Sequence, residues 1–221
     1  MKKFKALLVV ACALLLVAAS VFGTMAYLTS TETVTNTFTV GKVKITLDEA
    51  KVNTDGEAID KDNKVVTDLT MAERVATNSY KLMPGHNYVK DPTLTVKGGS
   101  EDAYVRLLVT INKASALKEV FGTNFLPQNY VDNTWNAQTW SCVKTTVNND
   151  DTVTYEFRYK EIVKANTADQ KLDALFKSFT VPGTVNGDQL AKLEDLKIEV
   201  IGEAIQADGF ANADAAWAVF K

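Results

Sequence analysis

Val153-Thr154-Tyr155-Glu156-Phe157-Arg158-Tyr159-Lys160 alternates large apolar and polar side chains without a break. Successive residues of a strand point to opposite faces, so this period of two predicts a strand with one buried and one wet face. Upstream, Trp140 to Val147 reads as its partner, and the intervening Asn148-Asn149-Asp150-Asp151 has the composition of a turn. The stretch therefore predicts an antiparallel hairpin.

Working outward, the same alternation recurs. Leu94 and Val96 alternate with Thr93, Thr95 and Lys97; a Gly98-Gly99-Ser100 turn follows; then Val105, Leu107, Val109 and Ile111 alternate with Tyr104, Arg106, Leu108 and Thr110. This predicts a second hairpin. Phe179 and Val181 before Pro182-Gly183, and Leu196, Ile198 and Val200 alternating with Lys197 and Glu199, predict two more strands. Helical signals are shorter. Ser115 to Phe121 closes on Gly122, Thr167-Ala168-Asp169-Gln170 has the form of a capping box ahead of Leu172, Leu175 and Phe176, Asp188 to Leu193 reads as a short turn, and Asn212 is placed to cap a terminal helix carrying Ala216, Trp217 and Phe220. The polar stretch from Lys51 to Asn78 reads as a long exposed loop, with a helical turn at Met71 to Val75. About eight strands with such insertions predict a mainly β fold, an antiparallel β-sandwich of jelly-roll type with a few short helical insertions.

The 221 residues are 46% hydrophobic and 23% charged, which fits a folded body and argues against disorder. The beginning of the chain has a different character. Lys2, Lys3 and Lys5 precede an apolar run from Ala6 to Phe22, and Gly23-Thr24-Met25-Ala26 supplies the small residues of a signal-peptidase site. Residues 1–26 are thus expected to be a cleaved signal peptide, cut between Ala26 and Tyr27. Cleavage removes three of the 24 Lys+Arg and none of the 27 Asp+Glu, moving the formal charge from −3 to −6. An acidic secreted body is a poor match for phosphate backbones, so no nucleic-acid partner is expected. Cys12 leaves with the leader, so Cys142 is left alone, with no disulfide partner in its own chain. In the strand-like Trp140-Ser141-Cys142-Val143 it reads as a buried, inert thiol. The C-terminal Ala213 to Phe220 run is too short for a bilayer, so no stable membrane span is expected after cleavage.

From Thr29 to Thr39 every odd position is threonine: Thr29, Thr31, Thr33, Thr35, Thr37 and Thr39. Leu28, Val34, Phe38 and Val40 fall on the even face, which predicts an extended strand over 27–40. At Gly41-Lys42 the parity shifts, because Val43, Ile45 and Leu47 continue on odd positions, and a bulge or bend explains it. The remaining body, 41–221, is read as a single sandwich domain.

The leader ending Gly23-Thr24-Met25-Ala26, followed by Tyr27-Leu28-Thr29-Ser30-Thr31 and on to Thr46-Leu47-Asp48-Glu49, resembles the N-terminus of Gram-positive proteins exported through the SipW-type signal peptidase. That group includes TasA, CalY and the camelysins. Leu82-Met83-Pro84-Gly85, Lys90-Asp91-Pro92, Thr93-Leu94-Thr95-Val96 and Ala103-Tyr104-Val105-Arg106 resemble a second stretch of the same group. Together these cover roughly a third of the chain, and the middle and the Ile205-Gln206-Ala207-Asp208-Gly209-Phe210 region do not resemble TasA. The resemblance implies a secreted structural protein of the extracellular matrix or cell surface, with SipW-type peptidase as a partner during export. A matrix-fibre subunit would polymerise with itself or with related matrix subunits. The polymerisation strand would then comprise Leu28, Thr29, Thr31, Thr33, Val34, Thr35, Thr37, Phe38 and Val40, added to a neighbour's sheet.

Chemistry beyond strand pairing has few parts. His86 is the only histidine and sits in a Pro-Gly turn, so the His-Glu-x-x-His pattern of a zinc peptidase cannot be assembled. The Asp60-Lys61-Asp62-Asn63 cluster places Lys64 where a calcium loop needs a ligand and reads as a turn. No catalytic residue, metal ligand or cofactor is expected. A second reading is a cell-envelope binding module for glycan or protein, in which Tyr130, Trp135 and Trp140 form a platform for glycan rings; the resemblance also implies a third, a camelysin-like metallopeptidase, for which this sequence lacks the histidine ligands.

Overall fold

The computed structural model describes residues 42–122 and 135–220. The expected signal peptide, its expected Ala26–Tyr27 junction, the expected strand over 27–40 and Tyr130 lie outside the described residues. The chain divides between Val40 and Gly41, and every described residue belongs to the second unit.

The described residues form ten strands and three helices, in chain order β1 Ile45–Ala50, β2 Arg74–Val75, β3 Asn87–Val89, β4 Thr93–Val96, β5 Ala103–Ile111, α1 Ala114–Phe121, β6 Trp140–Val147, β7 Val153–Tyr159, β8 Gln170–Lys171, β9 Ser178–Thr180, α2 Gly187–Ala191, β10 Ile198–Gln206 and α3 Ala213–Val219. They form one sheet in the order β2-β1-β4-β8, a second in the order β10-β5-β7-β6, and the pair β3-β9. Every pairing is antiparallel. The fold is mainly β, as expected. These strand orders do not by themselves establish jelly-roll winding.

The β6–β7 hairpin forms where its alternation predicts, with Val147 opposite Val153 and Trp140 opposite Tyr159. Its inner residues Val153, Tyr155 and Phe157 are buried with Val105, Leu107, Val109 and Ile111 of β5 and with Leu94 and Val96 of β4. Those last two belong to the other sheet, so the two sheets share one core. Each fully buried aliphatic side chain contributes roughly 1.5–3 kcal/mol to that association. The sheets pack closely at Gly202 in β10, opposite Leu107. A Cβ there would lie 2.8 Å from Leu94 Cδ1 and 3.7 Å from Leu47 Cβ, so a side chain at this position would force Leu94 to shift.

Five expectations are corrected. The Gly98-Gly99-Ser100 turn does not close a hairpin: β4 pairs with β1 and β8, whereas β5 pairs with β10 and β7. The turn instead carries the chain between sheets and is pinned to the 166–169 segment, where Gly98 N–H donates to Asp169 Oδ1 at 2.9 Å and Gly99 N–H to the Asn166 carbonyl at 2.7 Å. This also explains why Thr167 to Gln170 does not open a helix. Asp169 is engaged by Gly98 and Lys97, Leu172 N–H donates to the Leu94 carbonyl at 2.9 Å, and the segment becomes edge strand β8. Leu172, Leu175 and Phe176 are buried all the same, from an extended chain rather than a helical face.

The Lys51–Asn78 stretch is not simply an exposed loop. Bridges pair Val52 with Ala58 and Ile59 with Val65, and Ala50, Ala58 and Ala72 form a small buried cluster. Met71 to Val75 is not helical, because Arg74–Val75 pairs with β1 as β2. Cys142 is exposed rather than buried, beside a bulge at Cys142/Lys144 on the edge strand β6.

Helices α1 and α3 lie where the sequence places them. In α1, Leu117 is buried, Val120 and Phe121 pack on the same core, and Gly122 at φ 90° ends the helix. Lys113 provides no side-chain cap, so Asp151 of the β6–β7 turn caps from outside, accepting from Ser115 N–H at 2.9 Å. At α3, Asn212 Oδ1 accepts from Ala215 N–H at 3.0 Å, and Ala216 and Trp217 are buried.

Candidate functional site

The aromatic platform does not assemble. Trp140 is fully buried, its Nε1–H donates to the Asp173 carbonyl at 2.9 Å, and its ring meets Tyr159 edge-on at 5.1 Å. A side chain so enclosed cannot stack on a sugar. Trp135 is half-buried and packs against Phe157 at 5.4 Å. Both serve the core, which removes two of the three aromatics from the glycan-binding reading.

The other polar residues singled out in the sequence serve local structure. Asp60 Oδ1 accepts from the Asp62 and Lys64 amides at 2.9 Å each, which is the hydrogen bonding of a turn. Asp102 accepts from Lys164 Nζ and from Ala165 N–H, contacts that hold its carboxyl below the ordinary range. Partial desolvation pushes the Cys142 thiol above its ordinary value, away from the thiolate that reactive cysteines use. Among the described residues, no group of three or more His, Cys, Asp and Glu gathers as a metal set.

A charged cluster that the sequence did not announce lies at the end of the first sheet. It grows from the last residues of β1, from β2 and from the Lys90-Asp91 pair between β3 and β4. Arg74 reaches Asp48 Oδ1 through Nε at 2.8 Å and Asp91 Oδ2 through Nη1 at 2.6 Å. The other oxygen of Asp91 accepts from the Ala50 amide at 2.6 Å, so this carboxylate ties β2 to β1. Burial works against the Arg74 charge, yet its hydrogen bonds to Asp91 and Asp48 outweigh that and raise its pKa.

Lys90 and Glu49 lie deeper. Their side chains are 7% and 8% exposed, and Lys90 Nζ donates to Glu49 Oε2 at 2.7 Å. Asn78 completes the group: its Nδ2 donates to Glu49 Oε1 at 3.0 Å and to the Ala50 carbonyl at 2.8 Å, while its Oδ1 accepts from Val52 N–H at 3.0 Å. Tyr80 roofs it, with Lys90 Nζ 5.9 Å from the ring centre and the hydroxyl donating to the Val89 carbonyl at 3.0 Å. Burial, followed by the Glu49 charge, pushes the Tyr80 hydroxyl well above the ordinary phenol range. Removing such charges from water costs several kcal/mol per ion, which is tolerable only with partners on every side. Beside the group lies a cavity of about 550 Å³ whose lining includes Asn78, Tyr80, Leu82, Lys90, Phe179 and Leu193.

Asp48-Glu49 and Lys90-Asp91 were visible in sequence only as parts of a resemblance, and Arg74 and Asn78 were not singled out. They come from a strand end and a stretch whose polarity reads as loop, and only the fold brings them together.

The second notable feature is the pair of free sheet edges. Strand β6 ends its sheet at one side, with Val143 and Val147 exposed, but the Cys142/Lys144 bulge and Lys144 itself interrupt it. At the other side, β10 pairs with β5 over nine consecutive residues with no break in register. Among the described residues no strand covers its outer side. Bulges and lysines blunt an edge against pairing, and an unbroken edge invites it. The N-terminal end of the described body lies against β10, because Lys42, Val43, Ala204, Ile205, Gln206 and Phe210 line a shallow depression.

No protein-family model matches this chain, and no curated protein or solved structure matches it.

Proposed function

We propose that this chain is a secreted structural subunit that builds fibres of the extracellular matrix or cell surface, its N-terminal strand over 27–40 adding to the sheet of a neighbouring copy. The observation that carries the reading is the β10 edge, Ile198–Gln206, which is long, regular and free on one side among the described residues. An extended donor supplies main-chain hydrogen bonds for affinity, and alternate side chains set register. Leu28, Val34, Phe38 and Val40 are the alternate apolar set. A head-to-tail contact of this kind repeats without closing and yields filaments.

Export through a SipW-type peptidase fits the leader, since cleavage at Ala26–Tyr27 would free the donor only outside the cell. The residues brought together in the fold favour a structural role over turnover of an external substrate, because the buried charges are hydrogen-bonded to one another and to backbone. The direct test is hydrogen exchange on the mature chain, dilute and concentrated. The β10 amides that point away from β5 should exchange freely when dilute and become protected on assembly. Protection confined to β6, or no change anywhere, would count against this edge.

A further inference from the structure

We propose that Lys90 and Asn78 are joined by an isopeptide bond whose formation is catalysed by Glu49. One buried carboxylate holds an amine and a carboxamide at the same time: Lys90 Nζ on Oε2 at 2.7 Å and Asn78 Nδ2 on Oε1 at 3.0 Å. The asparagine is fixed for attack at its carbonyl, since the Val52 N–H donates to Oδ1 at 3.0 Å and is placed to stabilise the negative charge that develops there. Its Nδ2, held also by the Ala50 carbonyl at 2.8 Å, is the leaving nitrogen.

The step balances without any co-reactant. Lys90 Nζ gives one proton to Glu49, and its lone pair then forms a bond to Asn78 Cγ as the carbonyl electrons move to Oδ1. The Glu49 carboxyl rotates to bring that proton to Nδ2, gives it up there, and the carboxylate so restored takes the second Nζ proton. The Cγ–Nδ2 bond breaks, its electron pair leaving with nitrogen as ammonia, and the carbonyl re-forms. Ammonia takes the proton from Glu49 and departs as ammonium, so one ammonium side chain and one carboxamide become one secondary amide and one ammonium ion. Glu49 ends as it began, which is general acid–base catalysis by a shared carboxylate.

The surroundings suit this chemistry. The side chains of Lys90 and Glu49 are 7% and 8% exposed, so water has little access to compete as nucleophile or to hydrolyse the intermediate. The fold supplies proximity, because the three residues come from the end of β1, the segment after β2 and the segment after β3. The adjoining cavity, lined by both Asn78 and Lys90, gives ammonia a way out. In an exported chain with Cys142 as its only cysteine among the described residues, such a bond would supply the covalent tie that a disulfide cannot. This inference does not depend on fibre formation.

The test is the intact mass of the folded full chain, set against the mass calculated from its observed N-terminus, with peptide mapping after trypsin. The expected result is a chain lighter by one ammonia and a branched peptide joining the Lys90 and Asn78 segments, with no cleavage after Lys90. The Glu49→Gln variant, which keeps amine and carboxamide, should return to the full mass and melt at a lower temperature. Full mass in the folded wild-type chain would overturn the proposal, whatever the variant does. So would loss of ammonia without the branched peptide, which would mark a succinimide at Asn78-Ser79 instead.

Discussion

The Arg106 guanidinium carbon lies 4.3 Å from the centre of the Trp217 ring, with Phe220 of the same C-terminal segment at 5.3 Å. Arg106 projects from the outer face of β5, where its Nε donates to Glu203 of β10 at 2.6 Å. Two aromatic faces and a carboxylate thus close around one cation, and α3 is held on a sheet face that would otherwise be wet. Asp214 at the start of α3 adds an ion pair with Arg158 of β7.

Trp217→Ala should therefore release α3 and cost about 3 kcal/mol, from the buried ring and the lost cation–π contact. Urea unfolding followed by circular dichroism measures it. Arg106→Lys should cost about 1 kcal/mol, because an ammonium cannot stack as a plane while bonding sideways to Glu203. Equal stability of wild type and Trp217→Ala would show that α3 is not anchored by this contact.

Gly202→Val should destabilise by about 1–3 kcal/mol, since its side chain would be driven into Leu94 and Leu47 across the sandwich. A drop in thermal midpoint with secondary structure retained is the expected signature. A neutral substitution would mean that the sheets are free to separate at this point.

Arg74→Met should cost about 3–5 kcal/mol by leaving the Asp91 carboxylate buried beside no cation. Asp91 is 4% exposed, so water cannot replace the guanidinium. The double variant Arg74→Met/Asp91→Asn should recover part of the loss, and chemical denaturation of the three chains yields the coupling.

Asp151 gives a pH dependence with a definite sign. The Ser115 hydroxyl, followed by the Ser115 amide, holds its carboxyl below the ordinary value of 3.8. A folded-state pKa depressed in this way adds stability above the unfolded value and loses it as pH falls through the folded one. The anchorage of α1 to the β6–β7 turn should therefore weaken on acidification below about pH 4. Asp151→Asn, suited to the left-handed φ of 60° there, should remove that acid step while keeping the turn. Amide exchange of α1 against pH reads both.

Strand positions were legible wherever alternation was strong, as in Val153 to Tyr159, because one buried face imposes a period of two. Pairing was less legible. Leu94-Thr95-Val96 and Val105 to Ile111 flank a glycine turn and look like a hairpin, yet the turn crosses between sheets, a choice made by contacts with Asn166 and Asp169 far along the chain. Likewise Leu172, Leu175 and Phe176 have helical spacing, but burial from an extended segment satisfies them equally well. The charge cluster escaped the sequence for a related reason. Polar residues in a polar stretch signal solvent, and only packing reveals that Glu49, Asn78 and Arg74 turn inward.

In the proposed function, residues 27–40 drive assembly. Electron microscopy of two chains at matched high concentration, one beginning at Tyr27 and one at Gly41, tests it most directly. Filaments are expected from the first and none from the second, with Val34→Asp or Phe38→Asp abolishing them in the longer chain. A Tyr27 chain that remains monomeric, or two chains that assemble alike, would contradict it.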